Sequence, residues 1–397
     1  MIKTILTILT ILKDRYPERA QRLGRFFRAK ELTNINLNLC DKQQLRVLIC
    51  YTNMLDINYE NPCHANILHA TQMIHYFIKR GYCVDFCHYA DRAAFKFLGH
   101  HKYDVIIGQG YSYKEFCTKL NIPIRVNFVT ENHPLVVETK YKERLDYFRE
   151  RHPKIKTNAD IKRNGVIDVE QFMISTHGIL MNSDFNALNF KEFNRLRQIN
   201  SNAIYNEEWK FPDIDIAEEI SENRGNILWF GSGGFIHKGL DIVIDAVKEL
   251  PDISLNCYGI RKEEYSLFDK LKGKNIFNRG RINVMSETFN REIVLKHNFI
   301  VFPSCSEGMS TAVATCMAYG IIPIITKECG FASASCMIIL DDFHITCVRD
   351  AIQKTLLMSN DEILKMRQDC FKYAREQFSL MKFDESFRII MDEILGI

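Results

Sequence analysis

The sequence is poor in the signatures that announce a metal or a covalent nucleophile. It has no C-x-x-C, no Cys/His cluster at metal-ligand spacing, no H-E-x-x-H and no G-x-S-x-G. A structural zinc site, a zincin-type protease and an elbow-type hydrolase are therefore unsupported. G-x-G-x-x-G is also missing, which removes the fingerprint of a nicotinamide cofactor. Excess charge of one sign is scarce: 52 Lys and Arg against 49 Asp and Glu leave +3, and no general affinity for nucleic acid follows. ILTILTIL at 5–12 is apolar but far shorter than the ~20 residues of a membrane span. No small-residue cleavage site follows it, so a secretory leader is not expected. The thirteen cysteines are odd in number and unpatterned, as befits reduced thiols and a cytoplasmic location. Cys83 and Cys87 are expected to pack as small apolar residues. Asp213-Ile-Asp215 has the form of a D-x-D metal motif, but it lies in a proline-containing stretch rather than at a strand end. No metal ligand is assigned.

What is present is a rhythm. At 397 residues, 46% apolar and 25% charged, the chain has the size and composition of two globular domains. Short buried strands are expected at 46–52, 82–89, 103–110, 122–130 and 178–183, with helices at 65–80, within the charged stretch 138–175, and at 184–198. NAIYNEEWKFPDIDIAEEI interrupts the alternation and reads as a linker. Strands then resume at 226–231, 253–259, 275–278, 299–302, 321–326 and 337–340, with helices at 239–250, 263–271, 287–296, 310–319 and 360–376. A last helix, 382–395, is long enough to cross between domains. The division is 1–44 (basic helical segment), 45–205 (first domain), 206–224 (linker), 225–376 (second domain) and 377–397 (crossover helix). The class is α/β, with two doubly wound sheets whose strand C-termini open on a shared cleft.

Two stretches carry the chemistry. In SEGMSTAVATCMAYGIIP, Glu307 stands beside Gly308 at the start of a helix, where free amides at about Gly308 to Thr311 would suit a phosphate or diphosphate. The same residues also fit a plain helix cap at Ser310. In WFGSGGFIHKGLDIVIDA, a strand ends in Gly231-Ser232-Gly233-Gly234, and Lys238 and Gly239 open a helix. A lysine at the positive end of a helix dipole is unfavourable unless an anion sits nearby.

Taken in order, G-S-G-G-x-x-x-K-G-L-D, N-C-Y-G, P-S-x-x-E-G and M-A-Y-G-x-x-P-I-I resemble the donor half of family 4 retaining glycosyltransferases of the GT-B fold, over about 226–330. The resemblance implies two Rossmann-like domains facing a central cleft. It also implies a nucleoside-diphosphate-sugar donor and a glycan or lipid-linked acceptor, as in surface polysaccharide or lipopolysaccharide synthesis. Lys238 would meet the donor diphosphate and Glu307 the donor sugar. Backbone at Gly308, Met309, Ser310 and Thr311 would cradle the diphosphate, alongside the turn Gly231, Ser232, Gly233 and Gly234. His133, counted after the fifth strand of the first domain, would lie near the transferred sugar. Neither a metal nor a cofactor is implied. Three departures stand out. Thr315 occupies the second acid position of E-x7-E, where it would face the ribose. Ser232 stands where the family often has arginine. The loop TNMLDINYENPCHAN lacks the usual Gly-Gly pair.

Residues 1–30 hold eight basic residues against two acidic ones. Their stripe of Arg19, Arg22, Arg25 and Arg28 beside Leu23, Phe26 and Phe27 suits an anionic membrane surface, as it does a solvated helix on the first domain. A non-catalytic sugar-nucleotide-binding subunit and a sugar-nucleotide epimerase are the competing readings of the whole.

Overall fold

The computed structural model describes residues 44–52, 64–156, 166–181, 183–193, 195–211 and 217–397. The basic stripe, most of the loop TNMLDINYENPCHAN and the Asp213/Asp215 pair lie outside the described residues.

The first sheet comprises β1 (Arg46–Tyr51), β2 (Cys83–His88), β3 (Val105–Gly108), β4 (Ile124–Val129), β5 (His177–Met181) and β6 (Leu196–Ile199). Its order is β2-β1-β3-β4-β5-β6. The second comprises β7 (Asn226–Phe230), β8 (Ser254–Tyr258), β9 (Ile276–Gly280), β10 (Phe299–Phe302), β11 (Ile322–Thr326) and β12 (Ile338–Leu340), in the order β12-β11-β10-β7-β8-β9. Every described pairing is parallel. Helices cover both faces of such sheets, which is why RVLICY after its arginine, and IPIIT, are buried at every position rather than at alternate ones. The helices that matter below are α1 (Ala65–Lys79), α2 (Pro134–Arg151), α3 (Leu240–Lys248), α4 (Thr311–Met317) and α5 (Leu380–Leu395).

Several expectations need correction. The helix expected over 184–198 is a short helix, Asp184–Ala187, followed by β6. β6 is an edge strand with Arg197 and Gln198 exposed. Its identity comes from pairing with β5 rather than from any apolar pattern. The charged stretch 138–175 is not continuous: α2 ends at Arg151, and a separate helix spans Val169–Ile174. A helix at Ile345–Leu356 was not anticipated. Cys83 is disulfide-bonded, against the expectation of thiols throughout.

Helix α5 follows the second sheet in sequence but packs on the first. Phe383 stacks on His69 of α1 at 4.3 Å, Phe387 meets Tyr76 edge-on at 5.5 Å, and Tyr76 Oη donates to Asp392 at 2.8 Å. No helix among the described residues is long and apolar enough to cross a membrane.

Candidate active site

Strands β7 and β10 flank the point where the order of the second sheet reverses. Their following loops run to opposite faces and open a crevice there. The loop after β7 carries Gly231 to Gly239, and the loop after β10 carries Pro303 to Ser310. The sheet thus brings together Lys238 and Glu307, 69 residues apart in sequence. Lys238 Nζ lies 2.9 Å from Glu307 Oε1. Ser304 Oγ donates to the same oxygen at 3.0 Å, and His237 Nε2 stands 3.9 Å from it. The Lys238 side chain is 12% exposed and that of Glu307 6%, so this is a charge pair largely out of water.

The glycine turn is held from behind. Gly234 and Phe235 donate their backbone N–H groups to Glu264 Oε1 at 2.7 and 2.9 Å. Arg261 Nε donates to the Ser232 carbonyl at 3.1 Å. Gly233 has φ +87°, and a side chain there would strike Arg261, whose Nε is 2.3 Å from the Cβ position. The donor of Gly234 is thus taken by a carboxylate in this structure.

The second loop also departs from expectation. Glu307 N donates to Glu328 O at 2.9 Å and Ser310 N to Cys329 O at 3.0 Å. Ser310 stands at the N-cap of α4, but its side chain makes no capping bond. Met309 is buried, and its sulfur accepts from Ser201 N at 3.2 Å. Gly308 lies against the first sheet: a Cβ there would come 2.2 Å from Thr130 O, beyond β4, and 3.0 Å from Met181 O, at the end of β5. Thr311 is half-buried at the start of α4. Thr315 was expected to face the ribose. Its hydroxyl instead accepts from Ile204 N at 3.0 Å, and the residue is 3% exposed, so it ties α4 to the segment joining the two sheets.

His133 is expected near the transferred sugar. It follows β4, the fourth strand of its sheet, and caps α2, with Nδ1 accepting from Leu135 N at 3.3 Å. Its ring lies between Phe172 and Phe190, 5.5 Å from each, and Nε2 is 3.3 Å from Glu192. Its neighbour Asn132 is linked to the second domain through Asn186. Asn132 Nδ2 donates to Asn186 Oδ1 at 3.1 Å, and Asn186 Nδ2 donates to the Glu307 carbonyl at 3.3 Å.

No family model matches the sequence, and no curated protein matches it. Solved structures match its fold. HepE of Anabaena, in complex with UDP and glucose, is 10% identical with a TM-score of 0.57, covering 88% of this chain and 100% of its own. WaaG, a glycosyltransferase involved in lipopolysaccharide biosynthesis, is 14% identical with a TM-score of 0.56, again covering 88% and 100%. Sucrose-phosphate synthase from Thermosynechococcus elongatus is 13% identical with a TM-score of 0.61, covering 89% and 100%. The chain has the GT-B fold.

In this GT-B frame the Lys238–Glu307 pair offers one cation and one acceptor at the mouth of the crevice. The nearby thiols offer no nucleophile. Cys305 Sγ lies 3.4 Å from His237 Nδ1, but burial pushes its thiol up to about 12, and burial does the same at Cys329. Among the described residues no group of His, Cys, Asp or Glu could hold a metal ion. Sequence reasoning missed Glu264, Arg261, Asn186 and Arg144. No capping-box signal existed for the first two: Glu264 accepts from the Arg261 backbone N–H at 3.1 Å, but a guanidinium has no acceptor with which to return the bond. Arg144, treated below, is placed by contacts more than 150 residues distant in sequence and leaves no local trace.

Proposed function

We propose that this GT-B protein is a retaining glycosyltransferase. It would move a sugar from a nucleoside-diphosphate-sugar to a glycan or lipid-linked acceptor, in the synthesis of surface polysaccharide or lipopolysaccharide. The observation that carries the reading is the buried Lys238–Glu307 pair at the strand-order reversal. Support comes from the neighbours: HepE was solved with UDP and glucose, and WaaG acts in lipopolysaccharide biosynthesis.

In this mechanism Lys238 exchanges Glu307 for the donor diphosphate and meets the negative charge that grows as the glycosidic bond breaks. Glu307, released, accepts from hydroxyls of the donor sugar. A preorganised partner for a developing anion is worth ~2.7–4 kcal/mol of the barrier. The departing phosphate takes the acceptor's proton on the same face, so the configuration is retained without an enzymatic nucleophile. Neither metal nor cofactor enters this proposal. His133 would lie near the transferred sugar, with its Nε2 buried 3.3 Å from Glu192. An anionic membrane surface, met through residues 1–30, belongs to the same proposal. Vesicle binding that survives their deletion would remove that part.

A non-catalytic sugar-nucleotide-binding role is favoured by one observation, the occupation of the Gly234 and Phe235 amides by Glu264. The deciding experiment incubates the protein with UDP-, GDP- and ADP-sugars and an acceptor glycan, and measures released nucleoside diphosphate. Acceptor-dependent release that falls by about a hundredfold in Lys238→Ala supports transfer. Binding without release supports the second role, and no binding to any sugar nucleotide sinks both.

A further inference from the structure

One arginine of the first domain ends inside the second. Helix α2 begins beside the crevice and presents Tyr141, Arg144, Phe148 and Arg151 at helical spacing. The Tyr141 ring lies 6.3 Å from that of His237, and Arg151 pairs with Asp241 and Asp245 on α3. Arg144 goes deepest, at 1% exposure. Its NH2 donates to the Pro303 carbonyl at 2.6 Å, and its guanidinium lies 4.2 Å from the centre of the Phe343 ring. NH1 stands 3.0 Å from the Cβ position of Gly239. Gly239 directly follows Lys238, and Pro303 directly precedes Ser304, which holds Glu307. One side chain from the opposite domain therefore touches the backbone corner behind each member of the charge pair.

The arrangement is costly as mere packing. Arg144 Nε and NH1 have no hydrogen-bond partner among the described residues, and a buried guanidinium short of partners is less stabilising than an apolar side chain of its size. We propose that Arg144 is a positioning residue: seating α2 on the second domain fixes the spacing of Lys238 and Glu307. The kinetic consequence rests on the transferase reading above, and the structural one does not.

The test uses the full chain with Arg144→Met and Arg144→Lys, and Arg151→Met as control. Arg151 grips the same α3 but makes no bond to Pro303. Hydrogen exchange is followed in peptides covering 237–241 and 303–310. Arg144→Met should speed exchange in both, while Arg151→Met leaves 303–310 as in wild type and Arg144→Lys restores part of the protection. With the sugar nucleotide that turns over, Arg144→Met should lower kcat about tenfold or more while KM changes little. Unchanged exchange at 303–310 in a folded Arg144→Met protein, an equal effect from Arg151→Met, or a fall confined to KM overturns the proposal. If Arg144→Met does not fold, Arg144→Gln takes its place, and normal exchange at 303–310 with a normal kcat in that folded variant overturns the proposal. A wild type that turns over no sugar nucleotide defeats the transferase reading, and the exchange measurement then decides the role of Arg144 alone.

Discussion

Replacing Glu307 by glutamine should strengthen binding of a free nucleoside diphosphate while slowing turnover. The reasoning starts from the 2.9 Å contact between Lys238 and Glu307, with both side chains largely buried. Two unit charges 4 Å apart at an effective dielectric of 20 attract by about 4 kcal/mol. A diphosphate reaching for Lys238 must first compete with that attraction. Glutamine is nearly the same shape and still accepts from the Ser304 hydroxyl, so the loop keeps its form, but Lys238 is freed of its counter-ion. Lys238 gains solvation in return, which recovers part of the attraction, so the net gain in affinity should be about 1–2 kcal/mol, or roughly 5–30-fold. A sugar nucleotide should gain less, because it loses charge-assisted bonds from its hydroxyls to the carboxylate. Calorimetric titration with the free nucleoside diphosphate and with its sugar conjugate separates the two, and melting curves control for folding. Weaker binding of the free nucleoside diphosphate, in a variant that melts like wild type, would refute the competition and place Glu307 in direct contact with the nucleotide.

Thr315→Val should lower the melting temperature, because the buried N–H of Ile204 loses its acceptor at a cost of about 1–3 kcal/mol; nucleoside diphosphate affinity should not change. The opposite pattern, normal melting with weaker binding, would put Thr315 at the ribose after all. Stability should also fall below neutral pH. Burial lowers the folded-state pKa of His69 to about 3 and that of His297 to about 4, against 6.5 unfolded. Between those values only the unfolded chain takes up the protons. The stabilisation is thus complete above pH 6.5 and is lost as pH drops, by up to ~1.4 kcal/mol per unit for each histidine. His69→Gln should flatten the slope of melting temperature against pH between 6.5 and 4.5, and an unaltered slope would show that His69 is not its source.

The second sheet was legible almost to the residue because its central strands β10 and β11 are buried on both faces and its turns are punctuated by glycine. Lys238 and Glu307 were legible for the same reason: each sits at a fixed distance past a strand that the pattern shows. Where the pattern is weak, reading failed. β6, LRQI, carries one buried residue and two exposed ones, and nothing local distinguishes it from a helix end. The helix at 345–356 was different: Val348, Ala351, Ile352 and Thr355 are buried at helical spacing, so its signal was present and overlooked. For His133, chain position after a strand does not say which way the ring turns, and Phe172 and Phe190 flank it. The Ile204–Thr315 bond joins residues 111 apart. No window of sequence contains it, so the departure from E-x7-E looked like a change of ligand chemistry when it is also a structural strut.

The course of α5 bears on how the chain is made. Phe383 and Phe387 lie against Phe128 of β4 and against His69 and Tyr76 of α1. A ribosome that has released residues 44–200 has made every strand of the first sheet but not the helix that seals one flank of it. Synthesis at ~5–20 residues per second leaves that flank uncovered for roughly 10–40 seconds while the second domain is made. The apolar side chains of α1 are then open to chaperones or to a neighbouring nascent chain. Birth order and completion order differ in this protein: the domain made first is finished last.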